Sequence, residues 1–205
     1  MSQLVLVINS GSSSLKYQLI DVDLKSALVK GLAERIGSAE ARLVHRAEGA
    51  QPVELIGDLR DHAAALALVL TQLGLSGYNL DDIHAVGHRV VHGGSHFTAP
   101  AVIDDAVVAG IEAIVPLAPL HNPPALLGIR ALRDLMPDTP QVAVFDTAFH
   151  QTIPAAAYTY PLPKQLVAEY GIRRYGFHGT SHQFVTKRTA QMLGIEPSEV
   201  NLVIC

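Results

Sequence analysis

Five apolar residues, Leu4-Val5-Leu6-Val7-Ile8, run into the short polar stretch Asn9-Ser10-Gly11-Ser12-Ser13-Ser14, and a second apolar-rich stretch, Leu15-Lys16-Tyr17-Gln18-Leu19-Ile20, follows at once. Two strand-length segments joined by so few small residues have one economical solution, an antiparallel pair closed by a tight turn. Any fold for this chain must therefore begin with a hairpin. The turn has two readings. Glycine and serine favour tight turns on conformational grounds alone. The same small residues let backbone N–H groups approach a ligand closely, and hydroxyls with Lys16 suit phosphate oxygens. Neither G-x-x-x-x-G-K-[ST] nor G-x-G-x-x-G is present, and the loop leads into a strand rather than a helix, so no helix N-terminus supplies an anion site there.

The 205 residues suffice for one large domain or one and a half ordinary ones. Only 17% are charged and Trp is absent, so Val, Leu, Ile and Ala must fill the core. A net charge of −4 with no Lys- or Arg-rich run argues against nucleic acid or an anionic membrane as partner. The one cysteine, Cys205, permits no internal disulfide, and a reducing cytoplasm is the simplest setting. No signal-peptide pattern precedes the first apolar run, and the longest charge-free apolar stretch, Ala63 to Leu70, is far below the ~20 residues of a membrane span. The final residues, Val200 to Cys205, read as a strand that simply stops, which points to a longer parent sequence.

Strands are expected over residues 4–8, 15–20, about 27–33 and 42–47. Apolar residues Ala65, Leu66, Val69, Leu70 and Leu73 fall at helical spacing, with Asp61 as cap and Gly74 just beyond the end. Ile83 to Val91 reads as a strand and Asp104 to Val115 as a helix capped by its own aspartates. Asn122-Pro123-Pro124 starts a helix reaching about Met136, with Asn122 as its side-chain cap. Gln141 to Phe145 is a buried strand, a Pro- and Tyr-rich connector spans Ile153 to Pro163, and a helix opening at Ser181 or His182 runs to Leu193. Strands first, then helices alternating with strands, predict an α/β fold with a mixed sheet flanked by helices. Ligands on such sheets bind at the carboxyl ends of strands, where the polar motifs fall.

Those motifs carry the chemistry. In His88-Arg89-Val90-Val91-His92-Gly93-Gly94, Arg89 and Val91 share one strand face. That pair suits a small carboxylate with an apolar tail; a structural arginine bridging an acidic neighbour is the other reading. His121, beside a helix start, is disfavoured as a cation and fits a neutral hydrogen-bonding role, or a plain loop position. Asp146, at a strand end, can hold Mg²⁺ through water, orient an arginine, act as a base, or merely form an Asx-turn. Arg173 to His182 gathers two arginines, two histidines and two hydroxyls around two glycines ahead of a helix, where His178 can meet the negative charge of phosphoryl transfer. Zinc is disfavoured. His88 and His92 lie roughly 13 Å apart on a strand, and H-E-x-x-H is absent. A serine hydrolase would need a G-x-S-x-G elbow, which the loop lacks.

Four stretches together, VLVINSGSSSLKY, GHRVVHGG, APLHNPP with FDTAFH, and YGFHGTSH, resemble the acetate/propionate kinase family of the actin-like ATPase superfamily. The resemblance implies a ribonuclease H-like, actin-like ATPase fold, truncated. Residues 1–150 would form the N-terminal domain lacking its C-terminal helix, and 151–205 the beginning of a second domain. It implies ATP-dependent, Mg²⁺-requiring phosphorylation of acetate to acetyl phosphate. Asn9 matches the magnesium-site asparagine, with Ser10, Ser12 and Lys16 near the phosphates. Arg89 matches the arginine holding the acetate carboxylate, and Val91, Leu120 and Phe177 the walls of the methyl pocket. His121 matches a histidine contacting the phosphoryl group, Asp146 the catalytic acid and His178 the transition-state stabiliser. Family members form homodimers and are about twice as long, and for want of that second half this chain is expected not to turn over by itself. A propionate kinase, and a non-catalytic actin-like domain binding phosphate or a partner, are the alternatives.

Overall fold

The computed structural model describes residues 3–204. Its centre is an eight-stranded mixed sheet. Strands β1 (Leu4–Ser10), β2 (Ser14–Asp21), β3 (Ser26–Glu34), β4 (Arg42–Ala47) and β5 (Val53–Ile56) form an antiparallel meander. On the other side of β1 come β6 (Ile83–Val90) and β8 (Gln141–Phe145), both parallel to it, and the two-residue β7 (Ala101–Val102) closes the edge. Strand order is β5-β4-β3-β2-β1-β6-β8-β7. Because β1, β6 and β8 run the same way, their carboxyl ends open at one edge.

Alternation decides what each strand buries. Leu4, Leu6 and Ile8 of β1 are buried, whereas Val5, Val7 and Asn9 are not. The buried face is covered by α1 (His62–Leu75), α2 (Asp105–Ala113) and α3 (Asn122–Leu135), with Leu66, Val69, Leu73 and Leu132 fully buried in the core against it. Asp61 caps α1 by accepting from the Ala64 N–H at 2.8 Å, and Asp104 caps α2 through the Val107 N–H at 2.8 Å. The other face of the sheet is largely open. Beyond β8 the chain forms two short helices, α4 (Ala155–Tyr158) and α5 (Lys164–Tyr170), then α6 (Gly179–Leu193), which packs near the end of β8.

Several expectations need correction. Helix α1 continues through Gly74 to Leu75. Asn122 is the first residue of α3 and does not cap it; His121 occupies that place without a side-chain bond. Helix α6 starts at Gly179 rather than at Ser181. Residues 200–204 form no strand, since no neighbouring strand pairs with them, and Cys205 lies outside the described residues.

A glycine organises the meander. Tyr17, Gly31 and His45 stand side by side on β2, β3 and β4. With no side chain at Gly31, the Tyr17 ring crosses over it and its hydroxyl reaches His45 Nδ1 at 2.6 Å; His45 Nε2 in turn bonds Ser76 Oγ at 2.9 Å, just past α1. Burial lowers the pKa of His45 and raises that of Tyr17.

His88 makes the fold pH-sensitive. It is sealed on the helix-covered face, donates to Gln141 Oε1 at 2.9 Å, and burial pushes its pKa down to about 4. The unfolded chain takes up this proton near pH 6.5 and the folded chain only near 4, so stability is intact above 6.5 and declines as the pH falls between the two. The loss should reach roughly 3 kcal/mol. Urea midpoints at pH 7 and pH 4.5 should differ accordingly, and His88→Gln should flatten the difference.

Candidate active site

The carboxyl ends of β1, β6 and β8 deliver Asn9, Arg89 and Asp146 to one point. Arg89 donates from Nε to both Asp146 oxygens at 3.1 Å and from Nη2 to Oδ2 at 2.6 Å, while Nη1 lies 3.4 Å from Asn9 Oδ1. Asp146 is only 2% exposed, whereas the Arg89 side chain keeps 36% of its surface open. The carboxylate therefore fixes the guanidinium, while its Nη1 edge, held only by the long bond to Asn9, stays partly open toward a second anion. That pairing also holds the Arg89 pKa above its ordinary value.

The fourth member arrives from α6. Nδ1 of His178 lies 3.9 Å from Asp146 Oδ2, too far for a hydrogen bond. His178 has a left-handed backbone (φ 55°), and no side-chain bond of its own caps the helix. Neighbours hold it instead. The Gly179 N–H donates to the Asp146 carbonyl at 2.8 Å, and His150 Nε2 donates to the Phe177 carbonyl at 2.9 Å. A Cβ at Gly179 would stand 2.3 Å from that Asp146 oxygen, so glycine is required there.

These four residues line a cleft of about 850 Å³ whose floor is the open sheet face, with Val5, Val7 and Val144, and whose rim carries Phe184. Lys16 pairs with Asn9 across β1 and β2 and lines an adjoining groove with it. Ser12 is exposed in the hairpin turn, which is anchored by His62 Nε2 donating to the Gly11 carbonyl at 2.7 Å. Ser10 is placed elsewhere. Strand β1 extends through it, so alternation turns its side chain under the sheet, where Oγ is buried and meets α3 at Gly128. Val91, Leu120, His121 and Phe177 do not line the cleft; Leu120 and Phe177 are exposed, and Phe177 packs edge-on against His92 at 5.7 Å.

Among the described residues no three His, Cys, Asp or Glu side chains gather around one point. Asn9 Oδ1 and the Asp146 carboxylate are the oxygens a hard cation such as Mg²⁺ would approach here, and both already accept from Arg89, so such a cation would have to be held largely through water. Nor is any helix among the described residues long and apolar enough to cross a membrane.

The sequence matches the Acetokinase family over residues 4–205. The chain belongs to that family. It is 50% identical over 206 residues to the acetate kinase of Caldanaerobacter subterraneus subsp. tengcongensis, covering 98% of this chain and 51% of the relative. It is 53% identical to the acetate kinase of Streptomyces avermitilis, covering 98% and 50%. Among solved structures, a propionate kinase from Francisella tularensis superposes with TM-score 0.91 at 39% identity, over 95% of this chain and 50% of the other. The Porphyromonas gingivalis acetate kinase gives 0.89 at 41%, with the same coverage. The mixed sheet with its flanking helices is thus the actin-like ATPase fold of the acetokinase family, and the chain spans about half the length of the relatives it matches.

Proposed function

We propose that this acetokinase chain supplies the carboxylate-gripping side of an enzyme that transfers the γ-phosphoryl group of ATP to acetate. An acetate oxygen bonds to the γ-phosphorus as the bond to the β,γ-bridging oxygen breaks, giving acetyl phosphate and ADP. The observation that carries this reading is the fixed Arg89–Asp146 pair beside Asn9 and His178 at three converging strand ends. A carboxylate is already a competent nucleophile, so alignment and charge neutralisation are what the protein must provide. In this reading Arg89 holds the acetate oxygens, Asp146 orients Arg89, and His178 meets charge on the equatorial oxygens. Asn9, Ser12 and Lys16 grip the nucleotide phosphates, and the Mg²⁺ near Asn9 neutralises charge on the phosphates when bound. Val91, Leu120, His121 and Phe177, which stand outside the cleft here, would meet the substrate only once the second half of such an enzyme closes on them.

The test is acetyl phosphate formation by the 205-residue chain alone and by the chain fused to the second half of one of the acetate kinases above. The fusion should make acetyl phosphate and the chain alone should not; an inert, correctly folded fusion would overturn the reading. In the fusion, His178→Ala should lower kcat about a hundredfold while leaving the KM for acetate nearly unchanged, because the imidazole acts on charge that develops during transfer.

The likeness to a propionate kinase favours a second substrate. One methylene beside Val91 is worth about 1–3 kcal/mol. Propionate should therefore be turned over with a kcat/KM about tenfold or more below that of acetate, and Val91→Ala should narrow the gap.

A further inference from the structure

Two fully buried polar side chains, Asn122 and Thr147, have no contact with the cleft and yet join the segments that carry its residues. The Asn122 amide makes a reciprocal pair with the main chain of His92: its Oδ1 accepts from the His92 N–H at 3.1 Å, and its Nδ2 donates to the His92 carbonyl at 3.0 Å. Thr147 Oγ1 accepts from the Gly93 N–H at 2.9 Å. His92 Nδ1 accepts from the Gly94 N–H at 2.9 Å, and Gln151 Nε2 donates to the Gly94 carbonyl at 2.9 Å. Buried amides and hydroxyls are costly unless bonded, and a helix-opening asparagine ordinarily caps its own helix. Here Asn122 gives up that role and bonds a different element.

The bonds have a plain spatial meaning. Asn122 follows His121 at the start of α3 and holds His92, while Thr147 follows Asp146 at the end of β8 and holds Gly93, the two residues after Val91 just beyond β6. There is no slack between them: a Cβ at Gly93 would lie 3.0 Å from the Phe97 carbonyl oxygen and 3.1 Å from Phe145 Cβ. We infer that Asn122 and Thr147 are positioning residues that fix the exit of β6, and with it Arg89 and Val91, against Asp146 and His121. The inference rests on the acetate-kinase reading for its consequence, because alignment errors near 1 Å can cost about a hundredfold in rate. The bracing itself is independent of any activity.

Two measurements separate these. In the 205-residue chain, Thr147→Val keeps the side-chain shape and removes the acceptor, while Thr147→Ser restores it. The ¹⁵N signal of Arg89 Nε should move in Thr147→Val and in Asn122→Ala and return in Thr147→Ser; an unmoved signal in both folded variants overturns the bracing whatever the enzyme does. In the fusion protein, Thr147→Val should raise the KM for acetate about tenfold or more with the KM for ATP within about twofold, and Thr147→Ser should stay near wild type. A loss of kcat with both KM values unchanged, or a parallel rise of both, would mark Thr147 as a merely structural residue and overturn its positioning role. If Asn122→Ala fails to fold, the Thr147 pair decides alone. An inert wild-type fusion counts against the proposed function and leaves the nitrogen signals to decide the brace.

Discussion

Arg89→Ala in the fusion enzyme should lower kcat/KM for acetate by roughly a thousandfold, the largest effect expected of any single change in the cleft. Two losses coincide. The guanidinium edge that faces the incoming carboxylate disappears, and Asp146, buried and now unpaired, presents its negative charge to an anionic substrate. Truncating one partner of a hydrogen-bonded charge pair of this kind typically costs 2–5 kcal/mol, which is the scale of such a drop. The KM for acetate should rise and kcat should fall together, because Arg89 is needed both to hold the acceptor and to aim it. Arg89→Lys should not rescue, since a single ammonium cannot reach both Asp146 and a second anion with the fork geometry seen here. Steady-state kinetics with acetate and ATP varied separately check this, and a loss smaller than about tenfold would remove Arg89 from its assigned role.

The largest effect on stability should come from the opposite side of the sheet, at Gly31. A Cβ there would stand 2.1 Å from Cζ of Tyr17 and 2.3 Å from its Cε1 and Oη, so the ring must leave its place. Once displaced, it no longer reaches His45, and the tie from β2 across β4 to the end of α1 is broken. Gly31→Ala should therefore cost about 3 kcal/mol or more, the sum of overpacking and a His45 Nδ1 left without its partner. Tyr17→Phe keeps the ring and removes only the hydroxyl, and should cost about 1–2 kcal/mol. Urea denaturation of the two variants gives the comparison directly. A Gly31→Ala variant no less stable than Tyr17→Phe would mean the ring finds another berth.

Much of the site was legible because strand ends can be read from apolar runs. Leu4 to Ile8 and Gln141 to Phe145 each stop at a polar residue, and those residues meet in space since their strands are parallel. Ser10 stands away from the cleft for an equally simple reason. Reading Asn9 to Ser14 as one loop ignores that β1 continues to Ser10, and one step along a strand reverses the face. Short edge elements escaped notice: β5 and β7 have four and two residues, with no alternation long enough to register. Helix α5, seven residues long and following the Pro-rich connector, is too short for a helical period to show. Asn122 shows the deeper limit. Its place before two prolines argued for a cap, but the partner that claims its amide lies 30 residues away. The left-handed backbone of His178, a non-glycine, left no mark in the local sequence.

The four gathered groups are not mounted alike. Asn9, Arg89 and Asp146 ride adjacent strands of one sheet, whereas His178 stands 71% exposed at the head of α6, secured through its neighbours' main chain. Such a mounting gives the cleft one wall built into the sheet and another hung from loop main chain. In the proposed transfer, where negative charge passes from the acetate acceptor to the departing ADP, the grip on the acceptor stays where the sheet has set it.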